Sequence, residues 1–217
     1  MKLKTDLSNL EKCLPKNINP QKKDEFKTLF YSKMALAMHE YCKGKTASFP
    51  KAAFWGSAWL NIWYTPGVGA PTLAIKQKED LSYKLTNRAN KVTIISDGTR
   101  VLGLGNCGAA SALAVMEGKA FLMNQLGAID AEPLCVDSRD EQGEHQAQKI
   151  IDFARMVSPS YSAINLEDIS QPNCYKVLDA LKENCPIPVW HDDAQGTEIG
   201  RAAGGGRGGV GGGGGGC

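Results

Sequence analysis

The stretch that decides the fold covers residues 92–119 and reads VTIISDGTRVLGLGNCGAASALAVMEGK. Two β-rich runs, 92–96 and 99–102, flank Asp97-Gly98, a pair that favours a tight hairpin turn. A glycine loop and a helix of small residues follow. The sequence therefore predicts a hairpin, then a loop, then a helix that carries Lys119.

The glycine loop has the pattern Gly103-x-Gly105-x-x-Gly108. It lies after a predicted strand and before a predicted helix, which is the context of the dinucleotide-binding fingerprint. The same stretch carries Arg100 and Lys119, a pair of cations suited to a dicarboxylate. A third interpretation is that the glycines only allow the helix to pack closely on the sheet. The residues alone leave all three open.

The composition limits the classes of protein. A chain of 217 residues with 42% hydrophobic content predicts one sizeable core. A net charge of +2 gives no indication of nucleic acid or of an anionic membrane as a partner. No signal peptide or spanning helix is predicted, and the seven cysteines form no CxxC pair. We therefore expect a cytoplasmic protein that binds neither nucleic acid nor membrane.

Residues 1–46 are predicted to form an N-terminal helical segment. Asn19-Pro20 is a typical helix start, and apolar residues recur at helical spacing until Gly44. The helix has one apolar face and lies outside the alternating pattern that follows. Its expected partner is either the sheet or a second subunit, and we expect a homodimer.

The next segment, residues 49–64, is irregular and rich in aromatic side chains, including three of the tryptophans. We expect these tryptophans to pack beneath a long loop, and the alternative is that they form a ligand-binding surface. Tyr64 then begins the turn YTPGV, and a tyrosine fixed on a rigid turn is either an acid catalyst or a structural residue. Pro71 is predicted to open a helix that reaches about residue 86.

After Lys119 the sequence alternates between apolar strands and amphipathic helices. This order predicts an α/β fold with a parallel sheet covered by helices. We assign residues 47–200 to this domain. Residues 201–217 are a glycine-rich tail, expected to be disordered. The predicted strands are 131–136, 162–166 and 187–190, and the predicted helices are 142–157 and 172–184.

Acidic residues follow three successive predicted strands. Such acids would meet at one edge of a parallel sheet, where carboxylate-only ligation suits Mg²⁺ or Mn²⁺. As an alternative, Asp168 and Asp193 would serve as helix N-caps. Taken together with Lys119 and Arg100, the acids favour a metal site. The acids are Asp137, Glu167, Asp168, Asp192 and Asp193.

Five motifs resemble, in family order, the signatures of the malic enzymes, over about residues 33–197. The resemblance implies oxidation of L-malate with NAD or NADP and a divalent metal, followed by decarboxylation to pyruvate and CO₂. The motifs are YTPGV at 64–68, SDGTRVLGLGN at 96–106, MEGKA at 116–120, INLEDI at 164–169 and HDDAQGT at 191–197.

The resemblance also implies roles for single residues. Tyr64 would be the proton donor, and Lys119 would be the general base, with its pKa lowered by metal charge and burial. Arg100 would bind a malate carboxylate, although this position varies within the family. The resemblance assigns the metal, Mg²⁺ or Mn²⁺, to Glu167, Asp168 and Asp193, and the substrate to Arg100, Lys119 and Asp192.

In the family the dinucleotide is held mainly by a second domain after the HDD motif. The expectation is therefore a truncated catalytic half without a cofactor-binding residue of its own, in which the loop 103–108 shapes the substrate side. Glu198 departs from the small residue usual in the family. Three alternatives stay open, namely a malolactic activity, a non-catalytic remnant and a generic phosphate-binding α/β protein.

Overall fold

The computed structural model describes Leu10, Leu14 and residues 18–196. Glu198 and the glycine-rich tail lie outside these residues. The chain divides into two compact units, Met1–Lys45 and Thr46–Cys217. Each unit is described separately below.

The first unit contains a long helix, α1 (Pro20–Cys42). Its start is the predicted one, because the side chain of Asn19 accepts a hydrogen bond from the backbone N–H of Gln21 at 2.9 Å and Pro20 occupies the first turn. Lys43 adopts a left-handed conformation with φ of 54° and ends the helix beside the predicted stop at Gly44. Every residue of α1 is at least partly exposed.

The second unit begins with short helical turns. The predicted single helix from Pro71 to about residue 86 is wrong. One helix ends at Gln77 because Lys78 is extended (φ −144°, ψ 100°), and the chain then continues as shorter turns. The α-helical pieces are α2 (Leu60–Trp63), α3 (Gly69–Gln77) and α4 (Ser82–Leu85), with 3₁₀ turns at Ser57–Trp59, Glu79–Leu81 and Asn87–Asn90.

The tryptophans in this region pack on one another. The ring centroids of Trp55 and Trp59 are 4.7 Å apart, and those of Trp59 and Trp63 are 6.3 Å apart. Even so, Trp55 is 74% exposed and Trp63 is 51% exposed. The expectation that they pack beneath a loop is therefore wrong, and an aromatic surface remains open in this unit.

Four strands form a parallel sheet in the order β2-β1-β3-β4, which confirms the predicted fold class. The predicted hairpin is wrong, because the residues after β1 form a turn in which Val101 bridges to Gly105 instead of a strand paired with β1. The neighbours of β1 come from later in the chain. The strands are β1 (Lys91–Ser96), β2 (Asp130–Cys135), β3 (Ala163–Leu166) and β4 (Val189–His191).

Gly98 has a different role from the predicted hairpin turn. Its φ is +67°, and its carbonyl accepts the N–H groups of Cys107 and Gly108. A Cβ at this position would lie 2.5 Å from the carbonyl oxygen of Gly108 and 2.8 Å from the Cβ of Ala112. Glycine is therefore required because the loop after β1 passes directly against the start of the next helix.

Helices cover both faces of the sheet. On one face, Met116 and Ala120 of α5 (Ala109–Gly127) pack on Ile94. Because side chains alternate along a strand, Ile95 faces the other side, where it joins the larger core cluster. That cluster is built by α6 (Ala147–Val157) and α7 (Asn173–Asn184).

The start of α6 differs from the prediction by five residues, since the helix begins at Ala147 instead of residue 142. Before it, one carboxylate oxygen of Asp140 accepts the backbone N–H groups of Gln142 and Glu144, which holds a turn in place of a helix. None of the helices among the described residues has the length and apolarity needed to cross a membrane.

Candidate active site

Four acidic residues lie at the carboxyl edge of the sheet. Strands β3 and β4 are neighbours, and the last residue of one pairs with the last residue of the other, Leu166 with His191. Glu167 and Asp168 continue from β3, and Asp192 and Asp193 continue from β4 into a single π-helical turn, Asp192–Gly196. The topology therefore brings together four of the five acids that were predicted to meet, all except Asp137.

Lys119 reaches this edge from the middle of α5. Its Nζ donates to Oδ2 of Asp192 at 2.8 Å and lies 3.2 Å from Oε1 of Glu167. The Lys119 side chain is about one third exposed, whereas that of Glu167 is 2% exposed. One cation thus contacts carboxylates from two different strands.

The expectation of a lowered pKa for Lys119 includes the charge of a metal ion, and the protein groups around Lys119 act on its pKa in opposing directions. Burial alone lowers it, but the hydrogen bond to Asp192 and the negative charges of Glu167 and Asp192 raise the pKa of Lys119 well above its ordinary value. In this arrangement Lys119 is an ammonium ion held by two acids. The sequence could not reveal this because the partners are distant along the chain.

The carboxylate of Glu167 accepts a hydrogen bond from a buried residue of β3. Asn165, which lies two residues earlier and is also buried, donates from Nδ2 to Oε1 of Glu167 at 2.9 Å. Burial raises the pKa of Glu167 to about 7, although the charge of Lys119 opposes the rise. The sequence analysis missed Asn165, yet the two-residue alternation along β3 is a signal that places both side chains on one face.

Asp168 has an unusual backbone. Its φ is +53°, in the left-handed region, and its carbonyl accepts the backbone N–H of Arg100 at 3.0 Å. Burial and the carboxylate of Asp193 raise the pKa of Asp168 to about 6. The N-cap interpretation is wrong for Asp168, because the N-cap residue of α7 is Pro172.

His191 is a site residue that the sequence analysis missed. It is the last residue of β4 and is fully buried. Its Nδ1 accepts the backbone N–H of Ala194 at 3.3 Å, and its own backbone N–H donates to Oε1 of Gln195 at 3.1 Å. Burial lowers the pKa of His191, against the opposing effect of the neighbouring carboxylates.

The acidic edge fits a hard divalent cation in its ligand chemistry. The candidate ligands are all carboxylates, and Oε2 of Glu167 is a buried oxygen with no hydrogen-bond partner among the described residues. Within those residues, no three His, Cys, Asp or Glu side chains converge closely enough to hold a metal ion. Oε1 of Glu167 is instead turned to Lys119 and Asn165.

Two of the predicted residues, Tyr64 and Asp137, are exposed. Tyr64 is 70% exposed, and within the described part of the chain its hydroxyl makes no hydrogen bond to another predicted site residue. Asp137, which follows β2, pairs with Arg139 at 2.6 Å on the surface. The acidic edge therefore contains the acids after β3 and β4 and not the acid after β2.

A buried network holds the loop that carries Arg100. Ser138 donates to Asp97 at 2.8 Å, and its Oγ lies 2.7 Å from Nδ1 of His145, whose Nε2 lies 3.4 Å from the amide nitrogen of Asn106. A cavity of about 1140 Å³ opens beside this network, and Asp137 is among its lining residues. The network therefore ties the loop after β1, through Asp97, to the segment after β2, through Ser138.

A parallel α/β sheet with four acids and one lysine at its carboxyl edge defines the class of this protein: an α/β domain with a carboxylate–lysine site. The family model of the malic enzyme N-terminal domain matches residues 56–182, which is more than half of the chain. The chain belongs to the malic enzyme family, as the five motifs indicated.

Relatives of known name agree with this assignment. The chain is 38% identical over 170 residues to the bifunctional malic/malolactic enzyme of Bacillus subtilis, covering 78% of this chain and 40% of that protein. It is 43% identical over 145 residues to the NAD-dependent malic enzyme of Geobacillus stearothermophilus, covering 67% of this chain and 29% of that protein.

The crystal structure of Entamoeba histolytica malic enzyme has the same fold, with a TM-score of 0.87 and 48% identity. The match covers 91% of this chain and 40% of that one. The sequence thus spans less than half the length of each of these three relatives.

Proposed function

We propose that this chain is the catalytic half of a malic enzyme, which oxidises L-malate at C2 and decarboxylates the product to pyruvate and CO₂. The observation that supports this most strongly is the contact of Lys119 with both Asp192 and Glu167 at the carboxyl edge of the sheet. A lysine among carboxylates provides a proton-transfer group beside an anionic oxygen cluster.

Glu167, Asp168 and Asp193 would hold the divalent cation, Mg²⁺ or Mn²⁺. Support comes from the all-carboxylate donor set, the buried Oε2 of Glu167 and the raised pKa values of Glu167 and Asp168. When bound, such an ion supplies Lewis-acid polarisation of the C2 oxygen.

Lys119 would accept the proton of the C2 hydroxyl. This role requires a neutral amine, whereas its present contacts favour the ammonium form. A divalent cation held by Glu167 would supply a positive charge that opposes the carboxylate charges raising the pKa of Lys119. Asp192, still hydrogen-bonded to Nζ, would then be the group to which the lysine passes its proton.

Tyr64 and Arg100 complete the proposal. Tyr64 would protonate C3 of enolpyruvate, and Arg100 would bind a malate carboxylate. The position of Arg100 supports its role, since its backbone is hydrogen-bonded to Asp168. The role of Tyr64 rests on the YTPGV motif.

The nicotinamide cofactor, NAD or NADP, would be bound mainly outside the N-terminal domain that the family model matches. We assign no cofactor-binding residue within residues 18–196. A β-bridge between Val101 and Gly105 fixes the start of the loop 103–108. This loop would form part of the substrate side of the cleft.

The first experiment is malate-dependent formation of NADH or NADPH by the purified chain, with and without Mn²⁺, together with a pyruvate assay. In parallel, Mn²⁺-dependent binding of oxalate, an analogue of the enolate product, is measured by calorimetry. We expect E167Q and D193N each to abolish this binding, and D137N, which changes a surface carboxylate, to leave it intact. Unchanged binding in both E167Q and D193N would refute the metal assignment.

A malolactic reaction is a second candidate, because the Bacillus subtilis relative is named a bifunctional malic/malolactic enzyme. The same assay distinguishes the two reactions. Lactate formed without net production of NADH would indicate the malolactic reaction, whereas pyruvate with an equal amount of NADH would indicate the malic enzyme reaction.

We further propose that the protein acts in the cytoplasm as a homodimer. The exposed aromatic side chains Trp55, Trp63 and Tyr64 support an interface in the second unit. Light scattering should then give twice the chain mass of 23.3 kDa. A variant with Trp55 and Trp63 changed to serine should give the single-chain mass.

A further inference from the structure

We propose that His191 is a positioning residue that fixes the two carboxylates after it: its imidazole and the side chain of Gln195 close the turn Asp192–Gly196 from both ends. The importance of these carboxylates for the reaction rests on the proposed function. The positioning itself follows from hydrogen bonds within this turn.

Two hydrogen bonds cross the turn in opposite directions. Nδ1 of His191 accepts from the backbone N–H of Ala194 at 3.3 Å. In return, Oε1 of Gln195 accepts from the backbone N–H of His191 at 3.1 Å. Asp192 and Asp193 lie between the residues that these bonds join. Their backbone is therefore fixed on both sides by side-chain contacts.

The protonation of His191 follows from this geometry. A ring nitrogen that accepts from an amide carries no proton, so the neutral ring carries its proton on Nε2. Nε2 is buried and has no hydrogen-bond partner among the described residues. A leucine would fill much of the same space without an unsatisfied donor. The acceptor at Nδ1 is therefore the feature that justifies a histidine at this fully buried position.

The position of the turn Asp192–Gly196 also affects Lys119, because Asp192 contacts this lysine. Oδ2 of Asp192 meets Nζ of Lys119 at 2.8 Å, and this contact depends on the direction in which the turn presents the carboxylate. If the hydrogen bonds of the turn are lost, the carboxylate of Asp192 no longer has a fixed position relative to Nζ of Lys119. His191 thus acts on the site through the turn and without contacting the lysine itself.

Two variants of similar shape distinguish the effect of the hydrogen-bond acceptor at residue 191 from the effect of the volume of its side chain. In H191N, the amide oxygen occupies the position of Nδ1 and can accept from Ala194. In H191L, the branching is the same but no acceptor remains. The primary measurement is hydrogen exchange of the Ala194 amide by NMR, and the secondary measurement is Mn²⁺-dependent oxalate binding.

We expect H191L to accelerate exchange of the Ala194 amide by about tenfold or more, and H191N to stay within about threefold of the original chain. Oxalate binding should follow the same order. Equal exchange in H191L and the original chain, or equal loss in both variants, would overturn the inference.

If H191L does not fold, Q195M is the variant that tests the inference. It removes Oε1 of Gln195, the acceptor of the second hydrogen bond across the turn, and this side chain is only partly buried. Faster exchange of the His191 and Ala194 amides in Q195M would support the inference, and unchanged exchange would overturn it. If the original chain binds no Mn²⁺ and oxalate, the proposed function fails, whereas the exchange measurements still decide the role of His191.

Discussion

Nζ of Lys119 lies 3.2 Å from Oε1 of Glu167, a carboxylate whose side chain is only 2% exposed. The lysine is the positively charged partner of this buried acid, in addition to the amide of Asn165. Because burial still raises the pKa of Glu167 to about 7, the lysine compensates only part of the desolvation.

The first prediction concerns pH and stability. Glu167 has an ordinary pKa of 4.5 and a folded-state pKa of about 7. Between these values the folded chain keeps a proton that the unfolded chain has released, so stability falls as the pH rises through this window. We expect the free energy of unfolding in urea, without metal, to be on the order of 2 kcal/mol smaller at pH 8 than at pH 5.

E167Q should remove the larger part of this dependence, because glutamine has no proton to release, and the smaller fall that remains comes from Asp168, whose pKa is also raised, to about 6. The matched control is D137N, since the pKa of Asp137 is held below its usual range by Arg139 and does not change in this window. An equal fall in stability in E167Q and in the original chain would exclude Glu167 as its source.

The second prediction concerns the backbone of Asp168, whose φ is +53°. D168G and D168A both remove the carboxylate, but only glycine adopts this conformation without strain. We expect D168G to be more stable than D168A by about 1 kcal/mol in urea unfolding. Both variants should lose Mn²⁺-dependent oxalate binding. Equal stabilities would show that the left-handed conformation carries no strain.

The third prediction concerns Gly98. In G98A the new methyl group would meet the carbonyl oxygen of Gly108 at 2.5 Å, in addition to the strain at φ +67°. We expect a loss of at least about 2 kcal/mol of stability, because the loop and α5 would have to separate.

The matched control for this prediction is G105A. Gly105 has φ +76°, but a Cβ there would have nothing within 4 Å. We expect only the strain of about 1 kcal/mol. Similar losses in the two variants would argue against close packing as the reason for Gly98.

The fourth prediction separates the two proton-transfer roles and requires a chain that turns over. K119A should lower malate oxidation by roughly 10²- to 10⁴-fold while sparing the protonation of enolpyruvate, and Y64F should do the reverse. NADH formation reports the first step, and incorporation of solvent deuterium at C3 of pyruvate reports the second. Equal loss of both steps in both variants would contradict separate roles for Lys119 and Tyr64.

Strand alternation and the acids at strand ends were sufficient to predict the parallel sheet and the meeting of Glu167, Asp168, Asp192 and Asp193. These predictions succeeded because they depend on the regular geometry of parallel strands. Motif order was sufficient to predict the family. A short motif is therefore most informative where it lies at the end of a strand or on a helix, because the geometry of these elements fixes the position of its side chains.

The failures occurred where distant contacts outweigh local preference. Asp97-Gly98 is a favourable hairpin pair, yet Gly98 is used for the close passage of the loop against α5. The sequence likewise does not show which protein groups surround Lys119, because the acids that act on its pKa follow β3 and β4, which lie far along the sequence.

The hydrogen bond from the backbone N–H of Arg100 to the carbonyl of Asp168 joins the loop after β1 to the loop after β3. Arg100, the candidate group for the substrate carboxylate, and Asp168, a candidate metal ligand, therefore stand on two peptide groups that are bonded to each other. A replacement of the side chain at residue 100 leaves this bond in place, whereas an insertion or a deletion in either loop would displace both residues together.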